Sequence, residues 1–207
     1  MAGQELSKKE LDILGEISNI SIGTSATALN MMVQRPVWIT TPRAKVVSRE
    51  SLIKEYADPC VFVQIEYTVG LDGSNILILN EHDVKVITDL MMFGDGTNIQ
   101  MELNDMHLSA VSEAMNQMMG SAVTSLSNMF DRTIDISPPK TVLLNVEGNQ
   151  GSATDMLSPL GDELVKVDLR IQIGDLVDST MVQIYPIDFA REICKLPLVV
   201  KDSPKNK

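Results

Sequence analysis

Histidine and cysteine are scarce in this chain: His82, His107, Cys60 and Cys194 are all that 207 residues contain. None of them has the short spacing of a zinc ligand set, and no Cys sits beside a His to suggest a nucleophile. Two lone cysteines in separate segments fit a reduced, cytoplasmic setting better than a disulfide scaffold. Both histidines are expected on exposed helix surface. Positive charge is also short, with 17 Lys and Arg against 28 Asp and Glu and a net charge of -11. That balance, with no basic patch, disfavours nucleic acid and anionic lipid as partners, since both select for Lys and Arg clusters. No apolar run reaches 18 residues, so no membrane-spanning segment is expected. Aromatics make up 4% of the chain, and 13 methionines, clustered at Met31, Met32, Met91, Met92, Met118 and Met119, are read as core filler in their place.

What the chain does have is a repeat. Asp12 to Asn19 recurs as Ser109 to Asn116, and adding 97 to a position in the first copy gives its counterpart: Asp12 becomes Ser109, Glu16 becomes Glu113, Asn19 becomes Asn116. The same offset carries Leu6, Ser7 and Leu11 to Leu103, Asn104 and Leu108, Gly23 to Gly120, Leu29 to Leu126, and Pro42 to Pro139. Ser7 with Glu10 reads as a capping box, and the Leu6/Leu11 and Leu103/Leu108 pairs as hydrophobic staples, so each copy opens a helix.

At about 100° per residue, positions 12, 16 and 19 share an arc of roughly 60°. Leu14, Ile17, Ala28 and Met32 lie on the far side, as do Val111, Ala114, Met118 and Met129 in the second copy, giving each helix an apolar stripe for the core. The polar trio therefore looks outward. Gly23 falls on that outward arc, where glycine costs about 1 kcal/mol relative to alanine. Two reasons would justify it: room for a partner's backbone or phosphoryl group beside the Asn, or close packing between the two helices.

Read in order, residues 7 to 34 form a helix closed by Arg35-Pro36, and Val37 to about Ser48 a strand. Residues 49 to 59 read as a short connection with a helical turn at most. Cys60 to Val69 and Asn75 to Leu79 form a hairpin around Asp72-Gly73, followed by a helix from Asn80 to about Met92. The second half repeats that order: a helix at 104 to about 131, a strand at 133 to about 146, a hairpin of 163–173 with 176–185, and a helix at about 186–195. Glu147 to Asp162 is expected to be a surface loop. Two helix-strand-strand-strand-helix units, about 6–96 and 103–195, predict an α+β fold. It is one two-lobed domain over 1–197, a six-stranded, largely antiparallel sheet with pseudo-twofold symmetry and helices on one face. Residues 198–207 read as a linker or tail.

Asp/Ser, three residues, Glu, two residues, Asn, then 22 residues and a Pro resembles the signature of the CheC, CheX and FliY family of phosphatases acting on phosphorylated CheY. It occurs as Asp12, Glu16, Asn19 and Pro42, and again as Ser109, Glu113, Asn116 and Pro139. The flanking text, Gly-Thr-Ser-Ala-Thr-Ala-Leu at 23–29 and the stretch at 108–122, is more similar to the FliY branch than to free CheC. The resemblance covers about residues 5 to 197 and implies the same fold. It also implies that Asn19 and Asn116 align the water that attacks an aspartyl phosphate, while Glu16 and Glu113 pair with the partner's active-site lysine. Asp12 and Ser109 would shape the site, and Pro42 and Pro139 would fix the chain's path beneath each helix. No cofactor belongs to the chain itself; Mg²⁺ is expected in the bound CheY-P, and no metal site is expected here. Implied partners are CheY-P and the switch proteins FliM, FliN and FliG, at the cytoplasmic face of the flagellar basal body. FliY relatives usually carry a CheY-docking segment and a FliN-like domain, neither of which is visible here, so the chain reads as a middle domain.

The competing class is a non-catalytic brick of the switch ring, as in FliM, which shares this fold without the paired residues. A glycosidase would need two acids flanking one cleft, and Glu16 and Glu113 belong to separate repeats. A metal hydrolase would need histidines or clustered acids that the chain lacks.

Overall fold

The computed structural model describes residues 6–56, 59–144 and 150–198, with the side chains of residues 41, 42 and 150–152 excepted. The expected tail beyond residue 198 lies outside the described residues. Seven strands, β1 (Val37–Ser48), β2 (Cys60–Val69), β3 (Gly73–Asn80), β4 (Asp135–Ile136), β5 (Lys140–Leu144), β6 (Glu163–Ile173) and β7 (Val177–Pro186), form one sheet. Its order is β1-β6-β7-β3-β2, with β4 and β5 both paired to β2 and every pairing antiparallel. The sheet thus has six lanes, and the last is broken into two strands. Ser137-Pro138-Pro139 causes the break, because proline offers no N–H to a ladder; the single strand expected at 133–146 does not form.

The halves interlock. The β2–β3 hairpin of the first repeat takes β5 of the second on its outer edge, and the β6–β7 hairpin takes β1 of the first. The pseudo-axis passes between β3 and β7, where Leu77 pairs with Gln183. Consequently β1 and β2 are four lanes apart, on the order of 19 Å, and the connection between them must cross the sheet.

That crossing corrects two expectations. Residues 49–59 hold a two-turn helix, α2 (Arg49–Glu55), capped by the Ser48 side chain. Within 147–162, where a surface loop is expected, lie α5 (Gln150–Leu157) and a 3-10 turn at Ser158–Leu160; residues 145–149 lie outside the described residues. Both connections run under the sheet and bury Leu52, Ala153, Leu157 and Leu160 against Phe62, Ile76, Ile78 and Val182. Helices therefore cover both faces, not one.

The main core lies on the other face, beneath α1 (Lys8–Val33), α3 (Glu81–Met91), α4 (Asp105–Phe130) and α6 (Ile187–Lys195). Leu14, Ile17 and Leu29 of α1 and Val111, Ala114 and Met118 of α4 are buried in it, as their spacing predicts. Both long helices are held at their ends by equivalent devices. Ser7 accepts from the Glu10 N–H while the Glu10 carboxylate accepts from the Ser7 N–H at 2.8 Å, which lowers the Glu10 pKa. Asn104 accepts from the His107 N–H at 3.3 Å, and His107 Nδ1 lies 3.3 Å from the Asn104 N–H. His107 is 2% exposed, so the second histidine is buried rather than on the surface. At the far ends Gln34 and Asp131, again 97 apart, take left-handed conformations with φ of 52° and 49°.

Methionine divides: Met118 and Met119 are core, but Met31 is 76% exposed and Met92 38%, so those two do not pack as expected. Cys60 is buried, and burial pushes the Cys194 thiol up to about 11, with Sγ donating to the Glu10 carbonyl at 3.3 Å.

Two measurements check these supports. Leu29→Ala should cost about 2–5 kcal/mol in urea unfolding, against about 1 kcal/mol for Ser7→Ala; near-equal losses would contradict the burial described. At pH 8 the Cys194 thiol should react with a disulfide reagent about a hundredfold more slowly in the native protein than in urea.

Candidate active site

Asp12, Glu16 and Asn19 are all exposed on α1, on a flank of the helix that borders the edge strand β1. Between this face and β1 runs a groove of about 670 Å³, lined by Lys8, Asp12, Gly15, Glu16 and Asn19 from the helix and by Arg43 and Ala44 from the strand. Spacings of three and four residues put the helix members in one row. A Cβ on Gly15 would meet nothing within 4 Å, so the groove is open at its middle.

The second trio sits likewise on α4, with Ser109 and Glu113 exposed and Asn116 half-buried. Its groove, about 500 Å³, is lined by Asp105, Leu108, Ser109, Ser112, Glu113 and Thr141, and Asn116 stands beyond it. Ser112 takes the place of Gly15 and its hydroxyl donates to the Pro139 carbonyl at 3.4 Å. Glu113 Oε1 accepts from Gln117 Nε2 at 2.8 Å. Lys140 Nζ lies 3.2 Å from Glu66 Oε1 across the sheet edge.

The helices meet at equivalent residues: Ser121 Oγ donates to the Thr24 carbonyl at 3.4 Å, and 24 and 121 differ by the same 97. Asn19 and Asn116 are each five residues before that point. The two sites stand on different helices and border different grooves.

Pro42 and Pro139 mark interruptions of their strands beside the grooves. The β1–β6 register shifts between Thr40 and Arg43, and the second strand breaks between Ile136 and Lys140. A bulge at such a place re-aims the side chains after it, and the residues after these prolines, Arg43 and Lys140, flank the two sites. The side chain of Pro42 lies outside the described residues, whereas Pro139 acts through its carbonyl.

Gly23 and Gly120 settle a choice between two expectations. A Cβ at either would meet nothing within 4 Å, so close helix–helix packing is not the reason for glycine there. The space beside each glycine, one turn beyond the Asn, is clear of protein. Among the described residues, no three of His, Cys, Asp and Glu are grouped so as to hold a metal ion.

Lys8, Gly15, Ile20 and Arg43, with their counterparts Asp105, Ser112, Gln117 and Lys140, were not singled out by the motif. Carrying the offset of 97 along the whole helix face and onto the following strand would have found them.

Comparison with known proteins meets this geometry from the other side. The sequence model of the CheC-like family matches twice, at residues 10–46 and 106–143, once per repeat. The chain is 46% identical over 189 residues to the flagellar motor switch phosphatase FliY of Bacillus subtilis, covering 91% of this chain and 49% of that protein. It is 27% identical over 172 residues to the CheY-P phosphatase CheC of the same organism, covering 80% and 81%. The crystal structure of Thermotoga maritima FliY superposes with a TM-score of 0.82 at 38% identity, covering 92% of this chain and 96% of that one. The chain belongs to the CheC-like family, in which it is similar to the FliY branch. It spans about half the length of the B. subtilis FliY it matches.

Because the position is open, Gly23→Ala should stabilise the fold by about 0.5–1 kcal/mol, read as a higher urea midpoint at unchanged slope. A lower midpoint would mean that the surface beside Asn19 is occupied after all.

Proposed function

We propose that this chain hydrolyses the aspartyl phosphate of phosphorylated CheY and does so within the flagellar motor switch. The observation that carries the reading is the doubled arrangement itself: a carboxylate and an amide one turn apart, on the outward face of each long helix, with bare helix surface following at Gly23 and Gly120. The names of two relatives, a flagellar motor switch phosphatase and a CheY-P phosphatase, support the substrate class.

An acyl phosphate is already reactive, and its hydrolysis needs a placed nucleophile and charge stabilisation more than covalent help. Asn19 or Asn116 enters the partner's active centre and holds a water in line with the leaving aspartate oxygen. The amide suits this because it both donates and accepts. The water oxygen bonds to phosphorus, the phosphorus–aspartate oxygen bond breaks, inorganic phosphate departs, and the aspartate leaves as carboxylate. Mg²⁺ bound by the partner with the phosphoryl group would neutralise charge there. Glu16 or Glu113 pairs with the partner's lysine, a charge-assisted contact that strengthens as the interface excludes water. Asp12 and Ser109 border the grooves and shape them; if both sites work, a carboxylate in one and a hydroxyl in the other would mean that the position needs no particular charge.

The same reading places the domain, residues 1–197, at the cytoplasmic face of the basal body among FliM, FliN and FliG. No helix of the described residues is long and apolar enough to cross a membrane. The non-catalytic alternative, a brick of the switch ring, predicts association with those proteins and no effect on CheY-P.

Phosphate decay from CheY-P with Mg²⁺ decides between them. The wild-type chain should accelerate it, and Asn19→Ala with Asn116→Ala should return it to the spontaneous rate while the circular-dichroism melt stays unchanged. An unaltered rate in that double variant would refute the mechanism.

A further inference from the structure

The two sites share a motif and differ at six equivalent positions in or beside their grooves; four of these favour the first site, Ala44 against Thr141 carries no charge, and Asp12 against Ser109 adds a negative charge to the first. Lys8 and Arg43 bring two positive charges to the first groove. Their counterparts in the second are Asp105, of opposite sign, and Lys140, whose charge is engaged by Glu66 at 3.2 Å. Gly15 leaves depth in the first groove, where Ser112, bonded to the Pro139 carbonyl, occupies space in the smaller second one. One turn after each glutamate the difference is sharper. Ile20, 50% exposed, has no donor to offer Glu16, whereas Gln117 donates to Glu113 at 2.8 Å.

We infer that the two sites are unequal: the first carries most of the activity, and Gln117 is a positioning residue that holds the Glu113 carboxylate back from an incoming partner. The inference rests on the phosphatase reading above and says which half of the molecule does the work. A phosphorylated aspartate presents a dense negative charge, so the first groove, where Lys8 and Arg43 offset Asp12 and Glu16, repels it less than the second, where Asp105 adds to Glu113. At the second site the Gln117–Glu113 bond must also break before the partner's lysine can replace it. The Glu and Asn of the motif are the same at both sites, so their surroundings set the bias.

Asn116→Ala leaves only the first site and Asn19→Ala only the second. At subsaturating CheY-P and low salt, the first-site protein should be faster by about fourfold, a helix side-chain tether and a surface charge difference each contributing a factor of about two. Raising the salt to several hundred millimolar should narrow that gap, since exposed charges are screened. In the Asn19→Ala background, Gln117→Ile should raise kcat/KM about twofold, through KM rather than kcat. Ile20→Gln in the Asn116→Ala background should do the reverse. A purely structural Gln117 would change the melting temperature without this split. Equal rates for the two single-site proteins, or a faster second site, would overturn the inference while leaving the phosphatase reading intact. So would a Gln117→Ile variant with unchanged KM. A wild-type chain with no effect on CheY-P would instead remove the reading on which the inference stands.

Discussion

A helix can hold polar groups steadily toward a partner only if its other side is gripped, and that constraint organises the molecule. Leu14, Ile17, Leu29 and Val33 of α1, and Val111, Met115, Met118 and Leu126 of α4, are sunk in one core against the sheet. Each such side chain, fully buried, contributes on the order of 1.5–3 kcal/mol, far more than a solvent-side Glu or Asn could cost. The outward faces are therefore free to be chosen for recognition. Equivalent caps at Ser7 and Asn104 and equivalent left-handed ends at Gln34 and Asp131 set the length of both helices.

Interlocking of the halves decides what stands beside those helices. Since β1 pairs with the hairpin of the other repeat, neither repeat is a sheet by itself, and the strand that borders each groove is an edge lane with a proline-linked irregularity. Edges tolerate a missing N–H where central strands do not. The irregularity is graded: a register shift in β1, a complete break where Pro138 precedes Pro139. The residues released from the ladder, Arg43 and Lys140, are those that differ in their electrostatic surroundings, one on an open groove and one paired across to Glu66.

Much of this was legible in the residue order. The repeat, the two long helices and their limits, both hairpins and the outward placement of Asp12, Glu16, Asn19 and their counterparts follow from periodicity of 3.6 and 2, caps and turn residues, all local properties. Other features were not. The segments of α2 and α5 read as connections, because seven or eight residues of mixed polarity carry little periodic signal; the helices exist because the chain must cross four lanes and the second face needs cover. His107 reads as surface but is buried at the start of α4, Met31 reads as core but faces solvent on α1, and Met92 reads as core but is exposed just past the end of α3.

By itself, then, the amino-acid order determined which groups recur, at what spacing, and on which side of a helix, because helical geometry is a property of neighbours in the chain. Only the tertiary structure decided what faces each group across space: Gly15 leaving depth in one groove where Ser112 occupies space in the other, Gln117 engaging Glu113, Glu66 engaging Lys140, and bare surface around Gly23. Those relations join residues from different strands and helices, or side chains choosing among several reachable partners. Packing and long-range strand pairing choose among them, and neither is encoded in any short stretch.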